Sequence, residues 1–204
     1  MKPKEGRIKE LLRERGLDGA IVSSPENFHY VTGFGGHQHT VSRQPGFTLA
    51  VMRSDDKAPT HITTMDFEAA TFRIKSAGLG FVVDPYDTWV GLKTWPEISQ
   101  GAVLPDKTRM ESSADKLEQF VKACDLADKR IGVEMDYLTV PYYNMICEKF
   151  PEAQLVDISD LFVYARSIKT EEEIKMFREL CRIADHGFTQ VSRMAGIGVS
   201  EKEM

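Results

Sequence analysis

Apolar residues along the chain switch repeatedly between helical and strand spacing. Ile8, Leu11 and Leu12 recur at helical spacing among Lys, Arg and Glu, which predicts an amphipathic helix ending near Gly16. Ala20-Ile21-Val22, bounded by Gly19 and by Ser23-Ser24-Pro25, has the short continuous apolar form of a buried strand. Pro25-Glu26-Asn27 opens a turn or short helix carrying Phe28, Tyr30 and Val31, which breaks at Gly33; Gly33 to Thr40 reads as a glycine-rich loop. Phe47 to Met52 and His61 to Met65 are expected to be strands joined by a polar turn around Asp55-Asp56-Lys57. Asp66 is expected to N-cap a helix through Phe67, Ala70 and Ile74 that closes at Gly78, with a further strand over Leu79 to Val83. Tyr86 to Arg109 suits an irregular surface excursion. Beyond it the pattern predicts a helix (Ser113 to Leu126), a strand (Arg130 to Glu134), a helix (Val140 to Phe150) and a strand (Gln154 to Ile158). Strands alternating with helices of this length predict an α/β fold: a layered mixed β-sheet flanked by helices.

The C-terminal stretch changes character. Thr170-Glu171-Glu172-Glu173 forms a capping-box pattern, and Ile174, Phe177, Cys181, Ala184, Phe188, Val191 and Ala195 then recur at spacings of three and four. That is a continuous apolar stripe along a helix of about seven turns. Gly196 and Gly198 stop it, and Ser200-Glu201-Lys202-Glu203 has the form of a second capping box. A single unpropagated helical turn is unstable. The expectation is therefore that the chain stops inside a second domain, with an ordinary frayed tail as the alternative.

Composition narrows the classes. The 204 residues carry 26 Lys+Arg and 31 Asp+Glu, a formal net charge of −5, with 42% hydrophobic and 28% charged residues. Both fractions are ordinary for a globular chain, so disorder is not expected. The mildly acidic balance supplies no reason for a nucleic-acid or membrane partner. No run approaches the ~18 apolar residues of a membrane helix, and no apolar h-region follows the first residues. Cys124, Cys147 and Cys181 are too far apart for a disulfide framework or a metal motif and are expected to act as small buried hydrophobes. A cytoplasmic setting follows as the expectation.

Two separated stretches resemble the creatinase/prolidase/aminopeptidase P family of pita-bread hydrolases. The first runs Asp18-Gly19-Ala20-Ile21-Val22-Ser23-Ser24-Pro25-Glu26-Asn27-Phe28-His29-Tyr30-Val31-Thr32-Gly33-Phe34 and is similar to the family's strand followed by an Asn-x-x-Tyr-x-[Thr/Ser]-Gly-Phe turn. The second comprises Arg130-Ile131-Gly132-Val133-Glu134, Val156-Asp157-Ile158 and Ala165-Arg166-Ser167-Ile168-Lys169-Thr170-Glu171-Glu172-Glu173-Ile174, similar to the family's join between domains. The resemblance implies a creatinase/prolidase-type N-terminal domain over residues 1–160. It implies a linker and the start of the C-terminal catalytic domain over 161–204. No cofactor is expected in this chain. The full-length parent is expected to hold a divalent metal pair (Mn, Co or Zn) unless it is creatinase-like, and the 204 residues alone are expected to be inactive.

The implied parent cleaves a C–N bond, as an Xaa-Pro dipeptidase or aminopeptidase acting on small peptides, or alternatively as a creatinase-like amidinohydrolase. A non-enzymatic protein-binding module of the same fold is the alternative from another class. In dimeric members of the family a loop of one subunit reaches the partner's active-site mouth. Here that loop is Gly35 to Arg43, so His37, His39 and Arg43 are the candidates for contacting substrate in trans in a homodimeric parent. Their chemistry suits a carboxylate, which Arg binds through a planar fork. Simple solvation of these polar residues is the alternative. His37-x-His39 lacks a third metal ligand nearby, and Gly33-x-Gly35-Gly36 lacks dinucleotide-binding spacing. Trp89 and Trp95 are candidates for a pocket rim or dimer contact, or else cover a sheet edge.

Overall fold

A computed structural model describes residues 3–55, 57–88, 95–101 and 111–203. Contacts divide the chain into two compact units, Met1–Ala165 and Arg166–Met204. In the first, α1 (Glu5–Glu14) leads to β1 (Gly19–Val22), α2 (Pro25–Thr32) and α3 (His37–Ser42). There follow β2 (Leu49–Arg53), β3 (His61–Thr63), α4 (Asp66–Ser76), β4 (Val82–Val83) and α5 (Trp95–Ser99). The unit continues with α6 (Ser113–Ala123), β5 (Arg130–Val133), α7 (Val140–Lys149), β6 (Gln154–Asp157) and α8 (Ser159–Ser167), the last of these running across the division. The strands form one six-stranded sheet in the order β4-β3-β2-β1-β5-β6. β1 pairs antiparallel with β2 and parallel with β5, which makes the sheet mixed, as expected.

Successive strand residues point to opposite faces, so the strands feed two cores. Ala20, Val22, Ala50 and Met52 enter one layer, with Ile8, Leu12, Phe28, Phe72, Leu161 and Phe162 from the helices. Ile21, Leu49 and Val51 enter the other, with Leu117, Phe120, Val121 and Ile146. Each fully buried aliphatic or aromatic side chain contributes about 1.5–3 kcal/mol of hydrophobic free energy.

Several elements differ from their sequence expectation for identifiable reasons. α3 begins inside the segment read as a glycine-rich loop, at His37, and runs on to Ser42. The strand expected over Leu79 to Val83 shortens to two residues, because Gly78 and Gly80 both adopt positive φ (77° and 78°) and turn the backbone away from the sheet. Asp66 is not the N-cap of α4 but its first residue; Met65 precedes it in extended conformation. α8 was not foreseen. Its apolar residues Leu161, Phe162 and Ala165 fill one face of only nine residues, and Asp157 receives the Ser159 N–H at 3.0 Å just before it. The start of α6 is sharper than expected, closed by a reciprocal capping box between Ser112 and Asp115.

In the second unit, α9 (Glu171–Met194) begins with the anticipated box: the Thr170 hydroxyl accepts from Glu173 N at 3.3 Å, and Thr170 N donates to the Glu173 carboxylate at 2.7 Å. None of its residues is buried. Cys181 is therefore exposed, contrary to its reading as a buried hydrophobe, while Cys124 is buried and Cys147 intermediate. Among the described residues no helix is long and apolar enough to cross a membrane.

Candidate functional site

The parallel pairing of β1 and β5 sets Ile21 beside Val133, so both strands deliver their next residues to one place. There Glu134, fully buried, closes the turn into α2. Its Oε2 accepts the backbone N–H of Ser23 at 2.5 Å and of Ser24 at 2.9 Å. Its Oε1 accepts the Ser24 hydroxyl at 2.5 Å and the Asn27 side-chain amide at 2.6 Å. A buried carboxylate is tolerated only when donors converge on it in this way. Ser24 also caps α2, accepting from Asn27 N, with Pro25 in the first turn where a missing N–H does no harm.

α2 ends at Gly33 and the chain passes through Phe34-Gly35-Gly36 into α3. Three anchors hold α3. The Glu68 carboxylate lies under Gly36 and accepts the Gln38 N–H at 3.0 Å; a Cβ on Gly36 would stand 2.4 Å from Glu68 Oε2. The His39 ring turns inward, 1% exposed, with Nε2 2.7 Å from the Ser23 carbonyl and its face edge-on to Phe28 at 5.5 Å. Arg43 pairs through both terminal nitrogens with both oxygens of Glu26, at 2.5 and 3.2 Å.

His37, His39 and Arg43 are thus separated by the turn of the helix. Only His37 stands exposed on an open cleft of about 700 Å³, together with His29 and Lys75. His39 is a correction to the sequence reading: its ring serves as an internal brace and presents no nitrogen outward. Arg43 is accessible, with its fork engaged by Glu26. Trp95 is 78% exposed on α5, and Trp89 lies outside the described residues. Sequence reasoning missed His29, Glu68, Lys75 and Glu134. The only signal for Glu134 was a charged residue directly ending the apolar strand Ile131 to Val133.

His39 sits below the usual histidine range chiefly because burial disfavours the imidazolium; the Ser23 hydrogen bond and Glu68 oppose that only in part. With Ser23 O as acceptor, Nε2 carries the proton of the neutral ring. Below about pH 6.5 the unfolded chain therefore binds more protons at this residue than the native state does. The stability that neutral His39 contributes is present above that pH and is lost as pH falls towards the native midpoint. His29 and His61 are lowered too, again mainly by burial, so the wild-type slope is a sum. His39→Gln is expected to flatten urea-derived stability between pH 6.5 and 5.5 by at most about 1.4 kcal/mol per pH unit. Identical slopes in the two proteins would refute this role.

The described residues contain no group of three or more His, Cys, Asp or Glu able to hold a metal ion, so the metal pair implied by the family resemblance does not fit them. The family model for the Creatinase/Prolidase N-terminal domain matches residues 6–168. The chain is 28% identical over 196 residues to an uncharacterized peptidase, YqhT, of Bacillus subtilis (strain 168), covering 96% of this chain and 44% of that protein. It is 24% identical over 197 residues to an Xaa-Pro dipeptidase of Lactobacillus delbrueckii subsp. lactis, covering 96% and 45%. Among solved structures, an Xaa-Pro dipeptidase from Bacillus anthracis shares the fold with a TM-score of 0.67 at 21% identity, over 97% of this chain and 44% of that one. The chain spans less than half the length of these relatives.

Proposed function

The chain belongs to the creatinase/prolidase N-terminal domain family, and we propose that it is the non-catalytic N-terminal domain of a C–N bond hydrolase of the Xaa-Pro dipeptidase or aminopeptidase type. In this reading it mediates dimerisation of the parent, and its 33–43 segment helps gate the partner subunit's active site. The observation that carries the gating role is the construction of α3. A segment only six residues long is anchored by Glu68, by the buried His39 and by the Arg43–Glu26 pair, yet it holds His37 outward. Such anchoring sets the imidazole in place before substrate arrives, which reduces the ordering cost of binding. His37 offers a hydrogen bond to a peptide carbonyl or carboxylate. Arg43 offers its fork in exchange for Glu26, an exchange between two exposed carboxylates that costs little. Hydrolysis itself is assigned to the remainder of the parent.

In the full-length parent, His37→Ala is expected to raise KM for Xaa-Pro dipeptides about tenfold, the equivalent of losing ~1.4 kcal/mol of binding. Arg43→Ala is expected to act in the same direction. Unchanged kinetics in both variants would refute the substrate-contact role. The 204-residue chain alone, with Mn²⁺ added, is expected to show only background turnover. Release of urea from creatine by the parent, without peptide cleavage, would move the assignment to an amidinohydrolase.

A further inference from the structure

α9 carries an apolar face that is left open, since none of its residues is buried. Ile174, Phe177, Cys181, Ala184, Phe188 and Val191 alternate in steps of three and four. That strict seven-residue period brings them into one line when the helix winds about a second helix. Phe177 is 53% exposed, Phe188 76% and Val191 43%. Lys175, Glu179, Arg182 and His186 hold the opposite face, where Glu179 and Arg182 pair with each other at 2.6 Å. Leu180 and Met194 flank the apolar line on one side, and Arg178 and Asp185 on the other. Arg178 and Asp185 stand about 10 Å apart along the axis, too far to pair within one helix. Neither has an ion-pair partner among the described residues.

We propose that α9 pairs antiparallel with α9 of a second copy of this chain. One register uses the whole line: Ile174 meets the partner's Val191, Phe177 the partner's Phe188, and Cys181 the partner's Ala184. All three layers share one two-fold axis, level with the Arg182–Ile183 peptide. The small residues at the centre let the backbones approach, and the phenylalanines pack on either side, where aromatic pairs contribute beyond their area. The same register sets Arg178 beside the partner's Asp185 on both sides of the axis. It also lays the acidic first turn, Glu171 to Glu173, against the partner's last turn with its Arg193, whereas a parallel pair brings the two acidic turns together. The exposed parts of Phe177 and Phe188, at about 200 Å² for a whole side chain, amount to about 250 Å² per copy. With Leu180, Val191 and Met194, between 43% and 53% exposed, the pair covers about 1,000 Å², the lower end of a specific interface. This surface lies outside the 33–43 segment, and the pairing rests on neither the hydrolase assignment nor the trans contact.

Sedimentation equilibrium of the 204-residue chain between about 5 and 500 µM tests this. A monomer–dimer equilibrium with a Kd of about 10–100 µM is expected, as suits a small interface. Phe188→Gln is expected to weaken it at least about tenfold and to leave the circular dichroism of the chain unchanged, because the ring is largely exposed. Arg178→Asp is expected to weaken pairing about fivefold at ~50 mM salt, and adding Asp185→Arg to restore it to within about twofold. In a parallel pair Arg178 faces the partner's Glu173, so the second substitution would restore nothing. A chain that stays monomeric at about 500 µM, a species larger than a dimer, or no recovery in the double variant would overturn the proposal. None of these readouts uses the parent's turnover, so the two proposals fail separately.

Discussion

Replacing Glu134 by alanine is expected to lower the unfolding free energy by about 3–5 kcal/mol. The carboxylate is fully buried and takes the N–H groups of Ser23 and Ser24, the Ser24 hydroxyl and the Asn27 amide. Alanine leaves those donors in a cavity that offers them no acceptor. An unsatisfied buried donor costs about 1–3 kcal/mol, and hydrogen bonds to a charged acceptor are stronger than neutral ones. Thermal unfolding should fall by roughly 10–15 °C for a chain of this size. Glu134→Gln should cost less, because one amide oxygen still accepts while the amide nitrogen confronts a donor. Urea unfolding of both variants checks the ranking, and a loss under about 1 kcal/mol for the alanine variant would mean that water replaces the carboxylate.

Phe28→Ala is expected to cost a comparable ~3–5 kcal/mol by a different route, the loss of packed aromatic surface and the cavity left behind. The Phe28 ring is fully buried and meets Phe34, Phe72 and His39 at centroid distances of 6.2, 6.0 and 5.5 Å. Those three neighbours belong to the turn after α2, to α4 and to α3, the three walls around the cleft. The substitution should therefore loosen the site as well as the core: amide exchange in residues 34–41 should accelerate beyond the global loss of stability. Phe28→Leu should recover most of the loss. A change under about 1.5 kcal/mol in Phe28→Ala would show that the layer collapses into the space and that the ring does not support α3.

The two structural predictions differ in how much of their basis was visible beforehand. Phe28 belongs to an apolar pattern that placed it inside from the start. Glu134 ends a strand, and its donors lie about 110 positions earlier, across a parallel pairing that no local pattern encodes. The same distinction separates α9 from α8. The first carries a capping box and seven apolar positions in phase, enough to define a helix by itself. The second has nine residues including Val, Phe and Tyr, whose intrinsic preference is weak, and it is helical because Leu161, Phe162 and Ala165 dock on the sheet. In the 37–43 segment the residue types were legible and their directions were not. A helical turn and an extended loop point the same three side chains differently, and the turn exists because Glu68 and His39 hold it.

Local spacing alone thus determined the order of helices and strands, the mixed layered class and the apolar faces, because periods of 2 and 3.6 residues are properties of the backbone itself. Only the tertiary structure decided which polar groups face the cleft and which brace the interior. Those outcomes depend on burial and on donors and acceptors brought from distant segments, and the free energy of a charged or imidazole group is set by that company far more than by its neighbours in the chain.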